Sequence, residues 1–320
     1  MTCINDPIPW ELWVVIVNFS DICDYNLFFT NKKFFSLINH YKFNSNVIEF
    51  AINQGNLSVI KYILELKHKK DTLIDNKKFT NIGIKKCLYK SCELGHLDVV
   101  KFLIKNGADV QADNNLAVRW ASLNGHLKVV KFLVEKGADI QANDNYAIKL
   151  ASRNGHLKVV KFLVEKGADI QANNNHSIQL ASQKGNLGVV KFLVERGANI
   201  KANDNLAMQE ASQNGHLEVV KFLVKRGANV QVNDNYCIRW ASHNGHLKVV
   251  KFLVEQGADI QAHNNWSILW ASEYGHLEVV KFLMEQGANI QALDNLALRL
   301  ALKNKHFEVV KFLTKHGAHL

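Results

Sequence analysis

The chain has 320 residues, of which 48% are hydrophobic and 21% charged, and this balance excludes an intrinsically disordered protein. Five cysteines without a Cys-x-x-Cys pair exclude a disulfide framework and a thiolate zinc site, so we expect a reducing compartment. The formal charge of +10 is spread along the chain and is not concentrated in one block, which argues against a nucleic-acid-binding protein.

The first 45 residues lack the pattern of the rest of the chain. Pro9 suits a first helical turn, and Leu12 and Ile16 continue one apolar face, so a helix is predicted here. The apolar run at residues 13–17 is too short for a membrane span and has no basic flank typical of a signal peptide. An amphipathic segment in this position can cap the exposed apolar end of a helical array.

The same segment resembles an F-box. Residues 8–12, Ile-Pro-Trp-Glu-Leu, are similar to its Leu-Pro-x-Glu-Leu start, and residues 31–34, Asn-Lys-Lys-Phe, are similar to its Asn-Lys-x-Phe end. In F-box proteins this module docks onto the adaptor subunit of a cullin ubiquitin ligase, while a repeat domain captures the substrate. The resemblance implies adaptor docking through Ile8, Pro9, Leu12 and Ile16. A cap and a docking module are alternatives, although one segment can serve both purposes.

The rest of the chain is repetitive. Residues 46–80 hold a degenerate first copy followed by an insertion, and residues 81–320 divide into eight units of thirty residues. The shared core reads Gly-His-Leu-x-Val-Val-Lys-Phe-Leu-x-x-x-Gly-Ala, as in Gly125–Ala138 and Gly245–Ala258. A unit of this size cannot bury its apolar face alone, so the units must stack into a solenoid.

Each unit predicts two antiparallel helices. Leu127 and Leu133 belong to the apolar side of the second helix, which ends at Gly137, a left-handed cap. Residues 117–124 form a shorter first helix, whose small side chains allow close stacking. Asn115 and its equivalents precede this helix, and we expect their side chains to accept hydrogen bonds from its first free backbone N–H groups.

Two further polar residues recur once per unit. His126 and its equivalents lie thirty residues apart, much further than the ligands of short metal-binding motifs, so we interpret them as structural residues of the turn between the helices. Glu135 and its equivalents follow a lysine by four residues, which predicts helix-surface ion pairs. The sequence contains no phosphate-binding loop, nucleophile elbow or Cys/His constellation, so we expect no catalytic residue, no metal and no cofactor.

The repeated string resembles the ankyrin repeat over residues 46–320. The resemblance implies an all-α solenoid of stacked helix-turn-helix repeats that binds other proteins, here with a helical N-terminal cap. Ankyrin repeats usually have about 33 residues, so units of thirty imply shortened finger hairpins. Such units are similar to those of ankyrin proteins of large DNA viruses. We expect a monomer in a reducing cytoplasm, the host cell's if the protein is viral.

The copies differ mainly on one face of the first helix, at positions three, four and seven residues apart. In the ankyrin-like arrangement this face lines the concave side. Aromatic and arginine side chains are the usual anchors of protein interfaces, so we expect partner contacts there. The predicted contact residues are Tyr146, Lys149, Arg153, His176, Gln179, Gln183, Tyr236, Arg239, His243, Trp266 and Glu273.

A neighbouring column holds Trp120, Trp240 and Trp270, which we interpret mainly as packing between repeats, and Glu210, which must be paired or protonated if it is buried. The sequence therefore predicts a non-enzymatic protein-binding solenoid. It is a substrate receptor for a cullin-type ubiquitin ligase if the F-box-like segment docks an adaptor, and otherwise a plain scaffold or competitor. Nucleic-acid binding rests on net charge alone, and neutral drift of the variable face is the alternative to binding.

Overall fold

The computed structural model describes residues 52–57, 60–61 and 84–319. The chain divides into two compact units, residues 1–91 and 92–320. In the first unit, the helical residues are 52–53, 57, 60–61 and 84–91. The predicted N-terminal cap, the ten-residue insertion and the adaptor-docking residues lie outside the described residues, the last being Ile8, Pro9, Leu12 and Ile16.

From residue 84 to residue 319 the chain consists of helices joined by turns, and no strand occurs in this range. The first helices of the repeats are α1 (Ile84–Leu94), α3 (Ala112–Leu123), α5 (Ala142–Arg153), α7 (Ala172–Gln183), α9 (Ala202–Gln213), α11 (Val232–His243), α13 (Ala262–Glu273) and α15 (Ala292–Lys303). The second helices are α2 (Leu97–Lys105), α4 (Leu127–Glu135), α6 (Leu157–Glu165), α8 (Leu187–Glu195), α10 (Leu217–Lys225), α12 (Leu247–Glu255), α14 (Leu277–Glu285) and α16 (Phe307–Lys315). The predicted all-α repeat fold is confirmed.

Stacking of like helices builds the core of the second unit. The first helices of adjacent repeats pack on one another, and so do the second helices. Ala117, Ala121 and Ser122 of α3 are completely buried, as small residues must be where two backbones approach closely. Val130 and Leu133 fill the space beneath the second helix. The small-residue and apolar columns therefore have the roles that their spacing predicted.

Each first helix from α3 to α15 opens with three residues in the left-handed region. In α11 these are Asn233, Asp234 and Asn235, with φ of 50°, 50° and 60°. Asparagine and aspartate tolerate this conformation better than other residues that carry a Cβ, which explains the recurrent Asn/Asp composition. The predicted helix-capping role of the asparagine is wrong. The Oδ1 atom of Asn235 accepts a hydrogen bond from the backbone N–H of Asp259 at 2.7 Å. This bond joins the start of α11 to the turn that follows α12.

The finger between repeats is a turn and not a hairpin, as the short repeat predicted. The Oδ1 atom of Asp139 accepts the N–H of Gln141 at 2.8 Å, and the amide of Gln141 donates to the carbonyl of Gly167 at 2.8 Å. These side-chain bonds replace strand pairing, since thirty residues leave too little chain for a hairpin ladder.

The recurrent histidine joins one repeat to the next. Nε2 of His276 lies 2.8 Å from the carbonyl oxygen of His243, at the end of the preceding first helix. A carbonyl can only accept, so Nε2 carries the proton. His126, His156, His216 and His246 make the same bond, and Asn186 replaces it with two amide bonds to the carbonyls of Ser152 and Arg153. The structural interpretation of these histidines is confirmed.

Candidate binding surface

One column of the variable face turns inward. Lys149, Gln179 and Arg239 are only 3%, 7% and 9% exposed, although the sequence placed them on an accessible surface. Arg239 donates from Nε to the carbonyl of Asp234 and from a terminal nitrogen to that of Asn233, both at 2.9 Å. The side chain therefore satisfies carbonyls that the left-handed turn leaves free. The expectation that this column offers exposed contacts is corrected for these three residues.

Gln179 has the same role as Arg239, because its amide donates to the carbonyl of Asn174 at 2.7 Å. Lys149 is an amine in the same buried column. Burial lowers the pKa of Lys149, and the nearby charge of Asp144 opposes that shift. These residues therefore lie beneath the exposed side chains of the face and support them.

The two flanking columns reach the solvent. Tyr146 is 40% exposed, and Arg153 is also exposed. The other predicted contact residues in these columns are half-buried, which leaves part of each side chain accessible: His176, Gln183, Tyr236, His243, Trp266 and Glu273. The face therefore divides into a polar part on α5 to α9 and an aromatic part on α11 and α13.

The aromatic part consists of rings in contact with one another. We define the aromatic cluster as Tyr236, Trp240, His243, His263, Trp266, Trp270 and Tyr274. Trp240 and Trp270 connect the two helices, with ring centroids 5.2 Å apart. The ring of His243 lies 4.8 Å from Trp240 and 4.1 Å from Tyr274. The guanidinium of Arg239 lies 5.8 Å and 6.0 Å from the rings of Trp266 and Trp270.

The sequence analysis identified only part of this cluster. The contact between Trp240 and Trp270 confirms packing between repeats, yet both rings remain half-exposed and belong to the surface as well. His263 and Tyr274 were missed. Each stands where most other repeats carry asparagine, aspartate or lysine, so a column-by-column comparison contains the signal that identifies them.

Glu210 marks the border between the two parts. It is half-buried, and its carboxylate accepts the amide of Gln183 at 2.9 Å. Burial raises the pKa of Tyr236, and the charge of Glu210 raises it further. Burial and the charge of Lys149 lower the pKa of His176, whereas Glu210 opposes them. The charge of Glu210 therefore acts on side chains of both neighbouring repeats, His176 and Tyr236.

The second helices present a different surface. Lys161 lies with its Nζ atom 5.7 Å from the ring centroid of Phe192, and Lys251 lies 5.4 Å from that of Phe282. The predicted i,i+4 ion pairs with glutamate are wrong. Within residues 84–319 the ion pairs are instead i,i+3 pairs with an acidic residue that precedes the lysine: Asp98–Lys101, Glu218–Lys221 and Glu278–Lys281.

Charge is unevenly distributed between these surfaces. Each turn before a first helix ends in a segment rich in exposed aspartates, residues 109–115 and their equivalents, in which Lys201 is the only lysine. These aspartates are Asp109, Asp113, Asp139, Asp144, Asp169, Asp204, Asp234, Asp259 and Asp294. Four of these turns begin with an exposed basic residue: Lys136, Lys166, Arg196 and Arg226. The second helices are rich in lysine, with one at the position of Lys161 in every copy. The first-helix face is thus bordered by an acidic edge. Most lysines lie on the second helices, although the first helices carry basic side chains of their own, such as Arg153 and Arg299.

The described part of the chain contains no group of three or more His, Cys, Asp or Glu side chains placed to hold a metal ion. None of its helices combines the length and the apolarity that a membrane span needs. Cys87, Cys92 and Cys237 are buried free thiols, and burial raises the pKa of Cys87 to about 11 and that of Cys237 to about 12.

The repeats of this chain match a known protein family. The family model for ankyrin repeats matches at residues 48–144, 114–174, 148–234, 178–264 and 238–320. Three ankyrin repeat proteins of Acanthamoeba polyphaga mimivirus are similar to this chain over 117 residues each, or 37% of its length, with identities of 40%, 45% and 44%. The matched regions cover 54%, 25% and 20% of those relatives, so the chain spans about half of their length or less.

Proposed function

Because this chain belongs to the ankyrin repeat family, we propose that it is a non-enzymatic binding protein that holds a protein partner on the first-helix face of its repeats. Ankyrin repeats are scaffolds for protein–protein interaction, and the related mimivirus proteins carry the same repeats. The buried free thiols support a reducing compartment, for which we propose the cytoplasm, that of a host cell if the protein is viral.

The aromatic cluster is the observation that carries this proposal. Its rings are half-exposed or exposed at positions where most other repeats hold leucine or polar residues, so the fold itself does not require them. Tryptophan and tyrosine are the residues most enriched among the energetically dominant contacts of protein interfaces. Tyr146 and Arg153 extend the same face into the polar part, where His176 and Gln183 offer hydrogen-bonding groups.

Lys149, Gln179 and Arg239 have an indirect role in this proposal. Their side chains are buried, and Gln179 and Arg239 satisfy the carbonyls of the left-handed turns. Arg239 also lies against the rings of Trp266 and Trp270. These residues position the contact surface, and the partner meets Tyr236, His243, Trp266 and Glu273.

A second candidate function is that of a substrate receptor for a cullin-type ubiquitin ligase. It is supported by the F-box-like residues 8–12 and 31–34, followed by repeats of a class that binds proteins. The helical cap at residues 1–45, the degenerate copy and insertion at 46–80 and the eight repeats at 81–320 form the corresponding proposed domains. Without an adaptor, the same repeats act as a plain scaffold or competitor.

Site-specific photo-crosslinking of the full chain in a eukaryotic cell lysate tests both candidates in one experiment. A photoreactive phenylalanine analogue replaces Trp266 on the first-helix face or Lys251 on the second helices. We expect a discrete protein adduct from position 266 and none from position 251. If the N-terminal segment docks an adaptor, a cullin adaptor co-purifies with this complex, and P9E together with L12E removes it without removing the crosslinked partner.

Three results would overturn parts of this assignment. Adducts from position 251 alone would place the partner on the second helices and not on the first-helix face. Crosslinks to nucleic acid from that position would favour the charge-based alternative, because lysine contacts with phosphates dominate such binding. Absence of any adaptor from the wild-type complex would eliminate the ubiquitin-ligase candidate and leave the binding scaffold.

A further inference from the structure

The aromatic cluster is bordered by four carboxylates. Glu210 precedes Trp240 by one repeat in the same column, and Glu273 lies one helical turn beyond Trp270. Asp204 and Asp234 are exposed in the left-handed turns at the edge of the same face. Within residues 84–319 no ion pair involves any of these four groups.

The geometry brings the acidic edge and the rings together. Arg239 donates to the carbonyls of Asn233 and Asp234 and lies within 6.0 Å of the rings of Trp266 and Trp270, so one guanidinium joins the turn to the cluster. His263, in the next turn, contacts Trp266 with ring centroids 4.2 Å apart. The cluster thus runs from the acidic edge to the far end of α13.

The cation already present does not neutralise this surface. Arg239 is 9% exposed, and within residues 84–319 it forms no ion pair with any of the four carboxylates. In the repeats that contain α11 and α13, the lysines, such as Lys251, lie on the second helices, whereas Lys201 lies in the turn beside Asp204. A ligand on the cluster therefore meets apolar ring surface and carboxylates together. Aromatic rings themselves attract lysine and arginine cations.

We propose that the aromatic cluster binds a peptide segment of a partner protein in which lysine or arginine residues alternate with apolar residues. The apolar side chains pack on the rings of Trp240, Trp266 and Trp270, and the cationic side chains pair with Glu210, Glu273 and the exposed aspartates Asp204 and Asp234. This inference rests on the proposed function, since it names the partner class for the same face.

Selection from a phage-displayed library of random peptides on the full chain tests the proposal. We expect the enriched peptides to combine basic and apolar residues. A labelled synthetic copy of one of them, measured by fluorescence polarisation, should bind W270A at least about tenfold more weakly than the unmodified chain, as expected for an interface anchor. E210Q should weaken binding about threefold, and less so at high salt, because a partly exposed charge pair contributes little and is screened.

The chain supplies a matched control. Trp120 occupies the same column as Trp240 and Trp270 and is half-buried too, but it belongs to α3, outside the cluster. W120A should bind the peptide as the unmodified chain does. Circular dichroism and the thermal midpoint of each variant separate loss of binding from loss of folding. Replacing the basic residues of the peptide by glutamine, or its apolar residues by serine, should each abolish binding.

The remaining outcomes distinguish this proposal from the one on which it rests. Enrichment of acidic or uncharged peptides that still require Trp270 would overturn the basic-ligand inference and leave the first-helix face as the binding site. Peptides insensitive to W270A and E210Q, or a labelled RNA duplex whose binding is lost in K161A and K251A, would overturn both. No enrichment at all would overturn the inference, because a rigid exposed cluster should select peptides.

Discussion

Single side chains hold adjacent repeats at a short distance, and the histidine of one repeat lies directly on a glycine of the repeat before it. Gly245 has φ of +73°, and a Cβ built on it would lie 2.5 Å from Nδ1 of His276. Gly257 has a similar φ of +85°, but a Cβ there would have nothing within 4 Å. The two glycines therefore share the left-handed backbone and differ in the space around it.

We predict that G245A lowers the free energy of unfolding clearly more than G257A does. Both changes place a Cβ in the left-handed region, which costs about 1–2 kcal/mol. Only G245A also pushes His276 away from its bond to the carbonyl of His243, a bond worth about 1 kcal/mol. Urea denaturation of the two variants measures the difference. Equal losses would show that the histidine moves aside freely and that the close contact is not a constraint.

At the scale of the structural element, the left-handed turn is the feature that distinguishes these repeats. Three residues in succession adopt positive φ before the right-handed part of the helix begins. The side chain of the last of them accepts a hydrogen bond from the turn that follows the second helix of the repeat. The cost is spread over residues that tolerate this conformation, and Arg239 satisfies two of the carbonyls that the turn exposes. The left-handed backbone of this segment therefore explains why asparagine and aspartate recur in it.

We predict that N235A destabilises the protein by about 2–3 kcal/mol, because alanine both disfavours φ of 60° and leaves the N–H of Asp259 without its acceptor. The matched variant N235D keeps an acceptor oxygen and a residue that tolerates the left-handed region, so its loss should be under about 1 kcal/mol. Thermal unfolding of the pair measures this. If both variants lose the same amount, the hydrogen bond to residue 259 is not what the side chain contributes.

At the scale of the whole molecule, the chain of histidines makes stability depend on pH. Burial lowers the pKa of His276, and the charges of His243 and His306 lower it further, while its bond to a backbone carbonyl opposes the shift. Burial also lowers the pKa of His246. As pH falls, these histidines bind protons more readily in the unfolded chain than in the folded chain. Their contribution to stability is therefore present above the unfolded pKa of about 6.5 and is lost as pH falls.

We predict that the free energy of unfolding decreases between about pH 7.5 and about pH 5.5. Urea denaturation at a series of pH values measures it. H276N is the matched control, because Asn186 occupies the equivalent position naturally and bonds to two carbonyls without titrating. This variant should show a shallower decrease. A protein equally stable across the range, or more stable in acid, would contradict the lowered pKa values.

Repetition explains how much of the fold was predictable. Eight copies in phase average out local ambiguity, so the helix pairs, the small-residue column that includes Ala121 and the structural role of His126 in the turn were predicted from spacing. The bond from His126 to the preceding repeat is visible only in the structure. The capping role assigned to Asn235 failed because an asparagine before a helix suits both a cap and a left-handed turn. Only the position of Asp259 in space distinguishes the two.

The sequence by itself determined that this protein is an all-α array of thirty-residue repeats, and it identified the variable face on which we propose partner binding. The tertiary structure decided which variable residues are accessible. Helical spacing assigns a side chain to a face, but the neighbouring repeat and the turn beside it determine whether that face is covered. This is why Arg239 is buried beneath its turn, while Trp240 and Trp270 remain half-exposed and join residues thirty positions apart into one surface.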